Sequence, residues 1–363
     1  MVAGGKTPEV VTKSTPQSQV TLQINLCAGD LAYAEQTVSA LAATHRPDVA
    51  EILVVADGCR PHSTPTLNVD ERFHADEFAR RITKLEALCA HLQSAGFIDR
   101  VAWLRPDPSA LRDLNRRYCG VVTSRSHDHL GHAFSAYFLG WDAARTRYVA
   151  HFDADIVLWQ QPGFSWLRRA TALLETDAAL LAASPRIAPP PLDHGMVHAE
   201  AEGSGWLPSW PLEKVSGGWR SPWFSTRCHV MDRSRLAKQL PLASTRGPRR
   251  ERRAAAIDRA LSAVYRRGEL SRPHRICRSL AARIPPFPLP PEVLLHEHAQ
   301  AKGLACLYLD DPRAWFIHPD TKPERFLRLL PQLLAYATGR GVYPPDQCGV
   351  SGIRFTAWEA FSP

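Results

Sequence analysis

Tyr148-Val-Ala-His-Phe-Asp-Ala-Asp155 decides how this chain is read. Tyr148–Phe152 carries aromatic and β-branched residues and reads as a strand that stops at Asp153. A second carboxylate follows two residues on, at Asp155. Hard divalent cations take oxygen ligands, and Mg²⁺ or Mn²⁺ is commonly held by one or two carboxylates together with phosphate oxygens. Such triplets are common in surface turns. The weight here comes from position, because this one stands directly after a strand and behind the helical pattern of Ala133–Arg145.

Working outward, Val20, Leu22, Ile24 and Leu26 alternate with Thr21, Gln23 and Asn25, which predicts a strand. Asp30 is placed to cap a helix running to about Ala43. Ile52–Val55 predicts a second strand ending at Asp57-Gly58, and residues 71–95 carry apolar side chains at helical spacing. Val101–Leu104 and Ala179–Ala183 read as further strands, with a helix over Phe164–Glu175. This alternation predicts βαβ units, hence an α/β fold with a mostly parallel central sheet flanked by helices. In open sheets of this kind ligands sit beyond the carboxyl ends of the strands, which directs attention to Leu26, Asp57 and Asp153. After Pro189-Pro190-Pro191 the composition changes to Gly and Trp, then to a basic stretch. A helix over Glu292–Lys302, strands over Leu304–Leu309 and Ala314–Ile317, and an amphipathic helix over Phe326–Tyr336 follow.

These blocks, in this order, resemble the family-2-type glycosyltransferases of the GT-A fold. The likeness rests on Val20–Leu41, on Glu51–Cys59, on Gly140–Asp155 and on Phe224–Leu236, with a looser echo in residues 290–320. It implies a nucleoside-diphosphate sugar as donor, a hydroxyl acceptor (a glycan, a lipid-linked molecule or a small molecule) and Mn²⁺ or Mg²⁺ as cofactor. By the same likeness Asp57 hydrogen-bonds the nucleotide's base, Asp153 and Asp155 hold the metal and through it the diphosphate, and His318 completes the metal site. Arg125 or His132 touches phosphate from the loop before the metal strand. Glu292 stands near the catalytic base and Glu297 competes for that role. With a carboxylate base and in-line attack by the acceptor hydroxyl the anomeric configuration inverts, while some related GT-A enzymes retain it, so the likeness leaves the stereochemistry open. There are departures: Ala56 replaces the first of two acids, Val293 follows Glu292 where a second acid is usual, and Tyr137 stands where a small polar residue is more common. A nucleotidyltransferase is the rival enzyme class, but Cys27–Tyr33 lacks the basic residue its phosphate loop would carry. A non-catalytic binding protein on the same scaffold is the other.

Ser126-His-Asp-His-Leu-Gly-His132 could be a metal cluster, since imidazole suits Zn, but a polar loop entering a helix is the simpler reading. His296 and His298 lack the i, i+4 spacing of a helical zinc site. Trp206, Trp210, Trp219 and Trp223 offer either stacking platforms for an acceptor or ordinary core.

The chain of 363 residues carries a net charge of +8. Residues 233–283 hold 15 Lys/Arg against three acids, so the remainder is slightly acidic. That segment reads as a solvated helix or as attraction to anionic lipid headgroups, and nucleic acid is not expected for want of interleaved aromatics. Eight scattered cysteines without a C-x-x-C pair argue against a disulfide framework. No apolar run reaches the ~18–20 residues that span a bilayer. Met1–Gln19 reads as a flexible polar leader rather than a secretory signal, so a cytoplasmic location, at most peripheral to the inner face of the membrane, is expected. The expected organisation is a leader over 1–19, a nucleotide-sugar-binding region over 20–190, an acceptor region over 191–322 containing the basic insert, and a C-terminal helix and tail over 323–363.

Overall fold

The computed structural model describes residues 19–62, 69–128, 131–190, 213–242, 289–319, 323–340 and 342–361. The leader, Trp206, Trp210 and most of the basic insert lie outside the described residues. From the first strand the chain runs β1 (Val20–Cys27), α1 (Ala34–His45), β2 (Glu51–Asp57), a single turn α2 (Val69–Arg72), α3 (Ala75–Ser94), β3 (Arg100–Leu104), α4 (Pro108–Cys119), α5 (Ser135–Ala143), β4 (Tyr148–Asp153), β5 (Val157–Gln160), α6 (Trp166–Thr176) and β6 (Leu180–Ser184). Then come the hairpin β7 (Glu213–Val215) and β8 (Gly218–Ser221), β9 (Cys228–Asp232), α7 (Arg233–Gln239), α8 (Pro291–Lys302), β10 (Ala305–Leu309), β11 (Ala314–Ile317), α9 (Pro323–Leu334) and α10 (Phe355–Ala360).

Nine strands form one sheet in the order β3-β2-β1-β4-β9-β6-β10-β8-β7, and β11 pairs with β5 separately. The strands run mostly parallel, as expected, with β9 and β8 alone pointing against the rest of the nine-stranded sheet. Strands β3, β2, β1 and β4 are parallel neighbours, as are β6 and β10. The pairings of β9 with β4 and β6, and of β8 with β10 and β7, are antiparallel. The physical reason is that β9, late in the chain, enters between β4 and β6 from the opposite end. The α/β sheet is therefore mixed, with helices on both faces.

One face is an apolar core of Leu22, Ile24, Val54, Ala150 and Phe152 under Val38, Leu85, Leu92, Trp166 and Leu174 from α1, α3 and α6. Across the sheet, Val149, Met231 and Tyr308 pack against Tyr118, Phe138, Trp141 and Leu295 from α4, α5 and α8. The polar side of β1 does not face water: Thr21 and Gln23 are fully buried. Helix α5 lies directly on it, because a Cβ at Gly140 would stand 2.1 Å from the Gln23 amide. Gln23 answers with a hydrogen bond to Asn25 Oδ1 at 2.9 Å. Asp30 does not cap α1, whose N-cap is Tyr33 with no side-chain bond.

Candidate active site

Four segments distant in sequence meet at the carboxyl end of β1, β2 and β4. Parallel pairing sets Cys27 beside Asp57 and Asn25 beside Asp153, so the acids that terminate β2 and β4 come to one rim. Because β9 runs the other way, its start lies at this same end: Phe152 faces Cys228, and the Asp153 amide donates to the Arg227 carbonyl at 2.9 Å. Thr226, one residue earlier, donates its hydroxyl to Glu292 Oε2 at 3.4 Å, which ties the first turn of α8 to the rim.

Asp153 Oδ1 receives two donors, the Tyr137 hydroxyl at 2.8 Å and His151 Nε2 at 3.1 Å. The Tyr137 departure thus has a structural use: its ring packs on His151 and its hydroxyl orients the carboxylate. Asp155 is half-buried and its Oδ1 is buried without a partner among the described residues. Burial, then the neighbouring Asp153, pushes its carboxyl up to about 7. Asp30 belongs to the same group of acids. Its two oxygens accept from the Tyr33 hydroxyl at 2.5 Å and the Cys27 amide at 2.7 Å, and burial raises its pKa.

Asp57 is buried, accepts from the Cys59 amide at 2.8 Å through Oδ1, and has Oδ2 3.4 Å from His127 Nε2. Burial pushes Asp57 up to about 7 and His127 down to about 4, so near neutrality the imidazole is neutral and the contact is not a pair of full charges. His127 is held in turn by Ser126 Oγ at 2.8 Å.

Glu292 is half-buried, and burial raises its pKa, with Arg227 opposing and Asp153 adding to the rise. Glu297 lies five residues further along the same helix, roughly 140° around the axis, away from the Thr226 contact. His318 is buried and neutral, pushed down to about 3 by burial and then by the Arg227 charge, while Asp153 pulls the other way. Its backbone is clamped to the C-terminal segment, with its N–H on the Ser351 carbonyl and its carbonyl accepting from Ile353.

The structure therefore brings together Asp153, Asp155 and Glu292, with His318 and, by way of Asp30, Asp57 in their electrostatic reach. His132 is felt at Glu292, yet its ring is two-thirds exposed and turns to Asp128 at 3.1 Å. Arg125 is fixed by its carbonyl, which accepts from Asn115 Nδ2 at 2.9 Å. The neighbouring His/Asp run is a loop closed on itself, with the His132 amide on Asp128 Oδ1 at 2.8 Å. His296 and His298 turn to different partners, the Pro222 carbonyl and Gln239. Of the four tryptophans, Trp219 lies under Lys214 and Trp223 packs on His296.

Among the described residues no group of three or more His, Cys, Asp and Glu is gathered to hold a metal ion. What the rim does supply is a carboxylate pair with one orphaned buried oxygen beside a neutral imidazole. That oxygen-rich set fits Mg²⁺ or Mn²⁺ when phosphate oxygens complete the shell.

Sequence reading missed two participants: Asp30, read as a helix cap, and Arg227, which no motif marks. Arg227 joins the site only through the antiparallel entry of β9.

No family model matches the chain, and no curated protein does. Among solved structures it is similar to galactosyltransferase LgtC in complex with donor and acceptor sugar analogues, at 13% identity over 60% of this chain and 59% of that one, with a TM-score of 0.29. An active-site mutant of LgtC gives 14% identity, the same coverages and the same TM-score. The mannosyltransferase PcManGT from Pyrobaculum calidifontis, in complex with GDP-Man and Mn²⁺, gives 13% identity over 82% of this chain and 79% of that one, with a TM-score of 0.27. The match thus spans about six-tenths of the length of LgtC.

Proposed function

We propose that the chain is a glycosyltransferase of GT-A, family-2 type that moves a sugar from a nucleoside-diphosphate sugar to an acceptor hydroxyl, with inversion. The observation that supports this is the convergence of Asp57, the Asp153/Asp155 pair and Glu292, from three separate parts of the chain, on one rim at the carboxyl end of the sheet.

In this reading Asp57 accepts from the nucleotide's base. Its carboxyl is desolvated and has an oxygen to spare. Asp153 and Asp155 would hold Mn²⁺ or Mg²⁺ together with phosphate oxygens, and His318, in electrostatic reach of Asp153 but not gathered with the pair into a three-ligand cluster, would have to move in to complete the shell. The bound ion supplies charge neutralisation at the leaving diphosphate. Tyr137 and His151 keep one oxygen of Asp153 occupied, which turns the other toward the ligand. Glu292, raised by burial, takes the proton from the acceptor hydroxyl as it attacks. Attack from the face opposite the leaving group inverts the anomeric carbon. Arg125 and His132 flank the phosphates from the loop before α5. Residues 191–322 take the acceptor, with Trp219 and Trp223 beside it. The proposed location is cytoplasmic, with the basic segment 233–283 at the inner membrane face; no helix among the described residues is long and apolar enough to cross a membrane.

Hydrolysis of UDP-, GDP- and dTDP-sugars with Mn²⁺ tests the reading. The chain should release nucleoside diphosphate from at least one donor. Glu292→Gln should lower turnover about 100-fold or more while leaving donor binding intact, and Glu297→Gln should not. Turnover unchanged in Glu292→Gln, or no donor consumed by the parent chain, contradicts it.

A further inference from the structure

We propose that Arg227 grips the donor's diphosphate directly, so that this site binds a nucleoside diphosphate even without a metal ion. The proposal rests on the donor-site reading above. Its ground is the placement of one side chain. Arg227 immediately precedes β9, and its carbonyl is bonded to the amide of Asp153. Its neighbour Thr226 carries Glu292. Asp155, Asp153 and Glu292 are the acids whose fields act on its guanidinium.

Two other inward-turned arginines among the described residues are spoken for. Arg186 is paired with Asp310 at 2.5 Å, and Arg235 donates to the carbonyls of Asp177 and Leu180 at 2.6 Å. Arg227 is half-buried and forms no ion pair or side-chain hydrogen bond with any described residue. A half-buried guanidinium beside carboxylates, with its donor fork unused, has donors to offer an anion that enters the rim. The three surrounding carboxylates keep it charged against the effect of burial. They cannot themselves welcome a diphosphate, which they repel. Arg227 supplies the fixed positive charge that offsets this repulsion, in the planar two-pronged form that suits phosphate oxygens.

The same geometry predicts a split that a merely structural arginine would not show. Removing the charge should weaken diphosphate binding, yet leave the carboxylates more attractive to a divalent cation. The test is calorimetric titration of the full chain with UDP and GDP in EDTA and in Mn²⁺, with uridine and guanosine as phosphate-free controls, and with Mn²⁺ alone. The parent should bind at least one diphosphate in EDTA. Arg227→Gln should weaken that binding about tenfold or more while changing the matching nucleoside by less than about twofold. It should also bind Mn²⁺ alone more tightly. Arg227→Lys, which keeps the charge without the fork, should fall between. Equal diphosphate affinity in Arg227→Gln, an equal loss for the nucleoside, or weaker Mn²⁺ binding overturns the proposal. If the parent binds diphosphate only with Mn²⁺, Arg227 is misassigned while the donor site stands. If the parent binds neither diphosphate under either condition, the donor-site reading itself fails.

Discussion

Asp57 keeps one oxygen on the Cys59 amide and has the other buried and unsatisfied, and burial pushes its carboxyl up to about 7. An unfolded aspartate titrates near 4. Between about pH 4 and 7 the folded chain therefore holds a proton that the unfolded chain has released, so Asp57 makes stability fall as pH rises through that window. Asp57→Asn fixes the neutral form. Thermal and urea unfolding should show it more stable than the parent at pH 8, by on the order of 1–3 kcal/mol, with the gap closing as the pH is lowered toward 4. A gap that widens in acid would contradict the sign. Tyr137→Phe removes one of the two donors on Asp153 and should cost about 1–2 kcal/mol in urea unfolding at pH 7. No loss would mean that the bond contributes nothing net. At this scale the positions of Asp153 and Asp155 at the end of β4 could be read from periodicity and punctuation, whereas Glu292 was singled out only by the family resemblance. Arg227 was not, since its place depends on a strand pairing with a segment some 75 residues earlier in the sequence. The use of Tyr137 was equally hidden: the substitution could be seen, its hydrogen bond could not.

Elements show the same division. The strands β1, β2, β4, β10 and β11 follow their apolar runs closely, because local pattern dictates them. Helix α4 passes unread although its signals are present: Asp107 accepts from the Ser109 and Ala110 amides, Pro108 opens the helix, and Gly120 closes it at φ 66°. The period-two pattern of β1 announces a strand but not that its polar side is covered, which only the bare Gly140 of α5 permits. The mixed sheet was hidden for a further reason, that β/α alternation over residues 20–184 says nothing about where a later strand inserts. A backbone close approach gives the prediction proper to this scale. A Cβ at Gly218 would stand 2.1 Å from the Tyr308 carbonyl oxygen across the β8–β10 pairing, where main chain cannot yield as a side-chain tip can. Gly218→Ala should destabilise the chain by about 1–3 kcal/mol in urea unfolding. A neutral result would mean that β8 shifts freely between β10 and the edge strand β7.

The whole molecule sets the acid-rich candidate rim on a sheet whose two halves differ in origin. The parallel half, β3-β2-β1-β4, delivers Asp57, Asp153 and Asp155, while β9 and α8, packed beyond it, deliver Arg227 and Glu292. The C-terminal segment closes the assembly around His318, where Trp315, Ile317, Phe326, Leu330 and Trp358 share one core. Neither half carries the whole site, so a ligand that bridges them should stabilise the molecule as a unit. The most direct measurement is the melting temperature of the chain and of Asp155→Ala, each with UDP-, GDP- and dTDP-sugars, in Mn²⁺ and in EDTA. The account predicts that at least one donor raises the melting temperature of the parent further in Mn²⁺ than in EDTA, and that a folded Asp155→Ala loses this metal-dependent increment. A parent chain indifferent to every donor, or an Asp155→Ala chain that keeps the full increment, would contradict it.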